Sequence, residues 1–246
     1  NLGSRTTARS RTMAVATKAM KARKALIPEK ESFAAEEAFE ILKKISVEVP
    51  RKFDETVEAS FRLGIDPKKA EQQIRSTIVL PNGTGKVPRI VVFAAGDKHM
   101  EAEKAGVEAV GGDDLADRIL GGWLDFDVAI STPDMMRVVG KLGKVLGPRG
   151  LMPNPKSGTV TFNIKETVDE FKKGKVEYRN DKFGIVSVPL GRTSFEPKML
   201  LENFEALHGA IVKARPSAAK GQYIRSAYVS TTMGPGLKID LASLIK

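Results

Sequence analysis

Polar and apolar residues alternate along Lys52–Gly64. Val57, Ala59, Phe61 and Leu63 fall on one side, with Thr56, Glu58, Ser60 and Arg62 on the other. Period two predicts a half-buried strand with a polar outer face. Upstream, Ala38, Ile41, Leu42 and Ile45 recur at helical spacing, so a helix is expected from a Ser32 cap to about Val47. Asp66-Pro67 predicts a short helix with Asp as cap and Pro at its first position, and Ser76–Leu80 a second strand. From Arg89 the alternation gives way to continuous apolar runs. Ile90–Ala94, Val107–Val110 and Asp127–Ser131 read as buried strands. Helical stretches separate them, Lys98–Ala105 and then Asp114–Leu120 behind an Asp113 cap. Strands alternating with helices imply a small parallel sheet flanked by helices.

Thr132-Pro133 opens a further helix, which places Met135, Val138, Val139, Leu142 and Val145-Leu146 inward and Arg137, Lys141 and Lys144 outward. It runs into a loop stiffened by Pro148, Pro153 and Pro155 and punctuated by Gly147 and Gly150. Basic residues on such a loop can reach phosphate oxygens, and a structural loop has the same composition. Asn163–Gly174 reads as helix. Val176–Asn180 and Ile185–Leu190 read as a hairpin about Asp181–Gly184. Pro197 opens a helix to about Lys213. The last strand, Tyr223–Thr232, presents Ile224, Ser226, Tyr228, Ser230 and Thr232 on one face, and Met233–Gly236 turns the chain.

Charge then narrows the partners. The 246 residues carry a formal net charge of +10, which favours polyanions. The first 28 residues hold Arg5, Arg9, Arg11, Lys18, Lys21, Arg23 and Lys24 without an acid. Such a segment fits an organelle transit peptide, a basic arm that orders on RNA, or an unstructured tail. No apolar run approaches the ~20 residues of a membrane span.

Several chemistries are excluded. There is no cysteine, so disulfides, thiolate nucleophiles and cysteine metal sites are ruled out. His99 and His208, the only histidines, lie far apart in the sequence, which disfavours a histidine metal site or a Ser-His-Asp triad. Gly83-Thr84-Gly85-Lys86 resembles part of a phosphate loop. Leu80 stands where that loop needs its first glycine, and Val87 where it needs Ser or Thr. No G-x-G-x-x-G follows a strand. No enzyme activity, cofactor or metal is expected.

One long stretch decides between the polyanion readings. MMRVVGKLGKVLGPRGLMPNPKSGTVT, beginning at Met135, closely resembles the signature of the universal large-subunit ribosomal stalk protein family, ribosomal protein "L-one". KFDETVEASFRLGIDPKKAEQQIR (Lys52–Arg75), GGWLDFD (Gly121–Asp127), VEYRNDKFG (Val176–Gly184) and IRSAYVSTTMGP (Ile224–Pro235) resemble other segments of the family, in family order. The resemblance implies an α/β fold of two domains. A discontinuous α/β domain would comprise residues 32–83 and 174–246, behind a basic extension over 1–31. A Rossmann-like βαβα domain with a parallel sheet would be inserted as residues 84–173.

The resemblance also implies a structural, non-enzymatic role. Members bind a folded segment of large-subunit rRNA, form the mobile stalk beside the exit site and assist release of deacylated tRNA. The alternative is a translational repressor that binds its own mRNA. Partners would be the rRNA stalk, exit-site tRNA and other ribosomal components. No membrane is expected, and the free protein would be a monomer. Carried over by motif, the RNA-binding residues include Lys52, Phe53 and Thr56 on the first strand, and Ser226, Thr232, Met233 and Gly234 on the last strand and its turn. Tyr228 and Ser230 share the parity of Ser226. Ser60 joins this set although some relatives carry a larger polar residue there. Arg62, Arg179 and Lys182 are candidate phosphate contacts. Lys141, Lys144 and Arg149 form a secondary set on the insert. The Arg/Ser/Thr/Ala-rich start, unlike the family's usual Lys/Gly-rich one, together with the bacterial-type signature points to an organelle ribosome. The plastid is expected, with mitochondrion or bacterial cytoplasm as alternatives. Leu237–Lys246 runs slightly past the family's usual end, with no assigned role.

Overall fold

A computed structural model describes residues 17–244. Arg5, Arg9 and Arg11 lie outside the described residues. The order is α1 (Lys18–Ala25), α2 (Ala35–Glu48), β1 (Thr56–Leu63), β2 (Arg75–Val79), β3 (Ile90–Phe93), α3 (Asp97–Lys104), β4 (Ala109–Gly111), α4 (Asp113–Leu120) and β5 (Val128–Ser131). There follow α5 (Met136–Lys141), α6 (Gly143–Leu146), α7 (Ile164–Lys172), β6 (Lys175–Arg179), β7 (Ile185–Arg192), α8 (Pro197–Lys213), β8 (Ile224–Thr231) and β9 (Leu237–Ile239).

The alternating sequences at the two ends of the chain build one antiparallel sheet in the order β7-β1-β8-β9. Its inner face carries Val57, Ala59, Phe61 and Leu63 with Val186, Val188, Ala227, Val229, Leu237 and Ile239, packed against α2 and α8. Phe204 of α8 centres this core. It stacks on Phe61 at 5.4 Å and meets Phe39 of α2 edge-on at 5.7 Å. Each such ring pair contributes about 0.5–1.5 kcal/mol beyond area burial. On the other face the outward positions of β1, β7 and β8 are exposed or half-buried, and most of them are polar.

The βαβα sequence forms a parallel three-stranded sheet, order β4-β3-β5. Strand β3 is buried on both sides, so its sequence is a continuous apolar run rather than an alternation. Val91 and Phe93 pack on α4, α5 and α6, while Ile90 and Val92 pack on α3 and α7. Helices on both faces of a parallel sheet match the expected α/β class.

Strands β2 and β6 pair only with each other, as an antiparallel ribbon. They carry the chain toward the parallel sheet and back. At the ends of this ribbon the Leu80 N–H donates to the Gly174 carbonyl at 3.2 Å.

The structure corrects several local expectations. Ser32 does not cap α2, whose N-cap is Ala34 without a side-chain bond. Lys52 and Phe53 precede β1 rather than lying on it. Asp66-Pro67 opens a turn followed by one 3₁₀ turn, Ala70–Gln72. Asp113 is the first residue of α4; Asp114 turns back to accept from the Gly112 N–H at 2.8 Å. The helix from Pro133 breaks at Leu142 into α5 and α6 after a 3₁₀ start. The hairpin is not one. Strand β6 pairs with β2 and β7 with β1, and only Asn180 and Val186 bridge the two, because the Asp181–Gly184 turn passes the chain from one sheet to the other. Part of the basic N-terminal stretch is helix α1, with Arg23 buried. Leu237–Ile239, to which sequence alone assigns no role, is the edge strand β9.

Candidate nucleic-acid interface

The open face of the antiparallel sheet is read in cross-strand rows. In the middle row Ser60 lies between Tyr228 and Ser187, and Lys238 lies beyond Tyr228. The Ser60 and Ser187 hydroxyls are 2.9 Å apart. A second row holds Ser230, Glu58 and Pro189, and a third holds Ser226, Arg62 and Ile185. Residues from three distant segments therefore form one surface. It is mixed rather than uniformly basic. The Glu58 carboxylate, in the row next to the middle one, repels phosphate, so this part of the face suits sugar hydroxyls and base edges, with phosphates at the ends.

The register departs from simple alternation at two places. On β7, Val57 pairs with Gly191 and Glu58 with Pro189, so Leu190 is extra. On β8, Arg62 pairs with Ser226 but Leu63 pairs with Ile224, so Arg225 is an extra, bulged residue. The bulge turns Ile224 toward the core, where it packs with the buried cluster. Ser226, Tyr228 and Ser230 remain on the open face, without Ile224.

At the N-terminal end of β1 the rim is partly apolar. Phe53 is 53% exposed, Met233 46% and Tyr228, further along, 41%. Thr232 lies just past β8. Its hydroxyl accepts from the Thr56 N–H at 3.1 Å and lies 3.3 Å from the Thr56 carbonyl, to which it can donate. That leaves one lone pair of the hydroxyl for a partner. Gly234 is required by space: a β-carbon there would sit 2.2 Å from the Thr231 hydroxyl oxygen.

Behind this rim lies a buried ion pair. Glu55, 2% exposed, accepts from Arg23 Nη1 at 2.9 Å and from the Met233 N–H at 3.0 Å. Burial pushes the Glu55 carboxyl up, but the Arg23 hydrogen bonds, the Met233 N–H and the Arg23 charge together hold it below its ordinary value. The buried Thr231 hydroxyl adds to the same side, though without a hydrogen bond of good geometry. Next to it, burial also raises Asp54. The hydroxyls of Ser194 and Thr193, the Ser194 N–H and the Arg192 charge outweigh that effect and lower it.

The opposite end of the face is cationic. The Leu63 N–H donates to the Gly184 carbonyl at 2.8 Å, so the Asp181–Gly184 turn abuts the end of β1 that carries Arg62. The Asp181 carboxylate accepts from the Phe183 and Ile185 N–H groups, both at 2.8 Å, and stiffens the turn. Lys182 and Phe183 are exposed at its tip, and Arg179 is exposed at the end of β6. A cleft of about 600 Å³ runs here between Arg75, Arg179, Asn180 and Lys182. Arg75 is already engaged by Glu177 at 2.5 Å.

Thus Lys52, Phe53, Thr56, Thr232, Met233 and Gly234 gather at one end. Ser60, Tyr228 and Ser226 span the face, and Arg62, Arg179 and Lys182 gather at the other end. Lys141, Lys144 and Arg149 are not among them. They lie on α5, on α6 and in the loop beyond, beside the parallel sheet, all exposed, with Lys141 ion-paired to Asp113 at 3.1 Å. Sequence reasoning missed Ser187 and Lys238. The parity of Ser187 between Val186 and Val188 was a usable signal. Lys238 sits in a three-residue strand too short to show a period.

No helix among the described residues is long and apolar enough to cross a membrane. Compared with known families, residues 42–235 match the model described as "Ribosomal protein L1p/L10e family".

Proposed function

The chain belongs to the ribosomal protein L1p/L10e family, structural proteins of the large ribosomal subunit that bind rRNA and not a family of enzymes, and from that premise we propose that the open face of the β7-β1-β8-β9 sheet is its principal rRNA grip. The observation that carries this reading is the cross-strand register. It sets Tyr228, Ser60 and Ser187 in one row and ties Thr232 to Thr56, joining both chain ends into one hydroxyl-rich surface. Hydroxyls can exchange hydrogen bonds with ribose 2′-hydroxyls, which DNA lacks. Phe53 and Met233 offer apolar contact to sugars or bases, and Arg62, Arg179 and Lys182 reach phosphates.

We also assign residues 32–83 with 174–246 to the gripping domain and 84–173 to an insert that makes a looser contact through Lys141, Lys144 and Arg149. Separate apolar cores support the division. The ribbon of β2 and β6, ending at Gly83 and Gly174, is where the insert would swing as part of a mobile stalk that assists release of exit-site tRNA. The free protein is taken as a monomer. For the compartment we propose the plastid ribosome, on the composition of residues 1–31.

The test is binding of the full chain to a transcribed large-subunit rRNA stalk fragment. Thr232→Val with Ser226→Ala should weaken it by on the order of 1 kcal/mol per lost hydrogen bond. Unchanged affinity in the folded double variant would overturn the assignment of the face.

A further inference from the structure

Arg23 is the only fully buried arginine among the described residues, and it lies outside every segment that carries the family resemblance. Helix α1 brings it under the rim. Its Nη1 donates to one Glu55 oxygen at 2.9 Å, and its Nη2 donates to the other Glu55 oxygen and to the Val49 carbonyl at 2.8 Å. One guanidinium thus holds both ends of the segment Val49–Glu55, whose middle presents Lys52 and Phe53. The Glu55 oxygen bonded to Nη1 also accepts from the Met233 N–H, 178 residues away in sequence. A planar fork with fixed donor directions can do this; a lysine ammonium cannot match it.

We propose that Arg23 is a positioning residue for rRNA recognition. Through Glu55 it sets the Lys52-Phe53 segment and the Thr232–Gly234 turn in one geometry without touching RNA itself. A buried ion pair is a poor source of net stability, because desolvation offsets its attraction, whereas its directional bonds fix geometry well. The apolar core of the sheet already supplies stability. The inference rests on the rRNA-grip reading and adds a residue that motif matching did not supply.

The test uses the full chain and the same rRNA stalk fragment. Four proteins are compared with the parent: Arg23→Met, Arg23→Lys, Lys52→Ala and Ser226→Ala/Thr232→Val. Affinity is measured across a salt series at a temperature where circular dichroism shows each variant folded. Amide exchange of Met233 is followed in the free protein. Arg23→Met should bind about tenfold or more weakly, the effect of roughly one lost charged hydrogen bond. Its salt slope should equal the parent's, because Arg23 neutralises no phosphate. Lys52→Ala should reduce the slope by roughly 0.7–0.9. Met233 amide exchange should accelerate in Arg23→Met, and the Val92 amide of the parallel sheet should not. Parent affinity in Arg23→Met would overturn the proposal, as would a reduced salt slope, which would make Arg23 a phosphate contact. Should Arg23→Met fail to fold, Arg23→Lys decides. It keeps the charge and loses the fork, and parent affinity in it would equally overturn the proposal. Parent affinity in Ser226→Ala/Thr232→Val would remove the rRNA-face reading and this proposal with it. A loss there with none in Arg23→Met removes this proposal alone.

Discussion

Asn203, buried in the middle of α8, donates from its side-chain amide to the carbonyl of Gly83 at 2.9 Å. The same nitrogen reaches the Leu190 carbonyl at 2.7 Å, and its oxygen accepts from the Asn82 N–H at 3.0 Å. One polar side chain in an apolar helix face therefore satisfies three backbone groups and anchors the chain where it leaves β2 for the parallel sheet. Asn203→Leu would keep the volume and strand those groups. Only the bond to Leu190 is fully buried, those to Asn82 and Gly83 being partly so. At about 1–3 kcal/mol per buried unsatisfied group, we expect a loss of about 1–3 kcal/mol, read as a lower urea midpoint with little change in slope.

The return connection has its own requirement. Gly174 has φ of +105°, and a β-carbon on it would fall 2.5 Å from the Gly83 Cα. The near atom is backbone and cannot rotate away. Gly174→Ala combines a left-handed strain of about 1–2 kcal/mol with a steric clash. It should destabilise by more than the strain alone, while Gly209→Ala in α8, with open space around it, should stabilise by up to about 1 kcal/mol. Thermal melts of the two variants check the contrast.

The strand β1, the helix α8 and the βαβα stretch all show in the chain because each buries one stripe or run, and burial dictates period. Cross-strand partnership does not show. Ser187 and Ser60 share a hydrogen bond across 127 positions, and nothing local marks either as the other's neighbour. The false hairpin at Asp181–Gly184 has the same origin. Those residues do form a turn, but the turn links two sheets. The bulge at Arg225 shifts parity by one residue, which an alternation count carries through uncorrected. Motif resemblance supplies candidates for the face. Arg23 escapes because a buried arginine and a solvated one look alike in a basic segment.

Acid should destabilise the fold in two steps. Burial lowers the His208 imidazole from its ordinary 6.5, only partly opposed by Glu205. Its neutral form is favoured in the fold, so stability is lost as pH falls below about 6.5 toward the lowered value. The second step belongs to the carboxylates. Glu55 lies below its ordinary 4.5, so its contribution is fully present above that pH and disappears as pH falls through the folded value. Denaturant titrations from pH 7 to 3 should show both steps. His208→Gln should remove the first and leave the second. Glu55→Gln should flatten the second, at a cost of about 3 kcal/mol at pH 7 for leaving Arg23 buried without its counter-charge.

The last prediction separates the cations that meet phosphate from those that are merely exposed. Removing one cation that neutralises a phosphate should flatten the dependence of log affinity on log salt by roughly 0.7–0.9. Arg62, Arg179 and Lys182 converge on the end of the face formed by β1 and the Asp181–Gly184 turn. Their alanine variants should each flatten the slope by about that amount and weaken binding at low salt. Lys144 and Arg149 make no ion pair among the described residues and lie beside the parallel sheet. They should give smaller changes with the rRNA fragment alone and larger ones on whole ribosomal subunits, where the insert has more RNA within reach. Lys141 already faces Asp113 at 3.1 Å, so Lys141→Ala removes a partly neutralised charge and should change the slope least of the six. Equal slope changes for Lys141 and Arg62 would mean that the whole basic surface acts as a diffuse field, and that the sheet face has no privileged phosphate end.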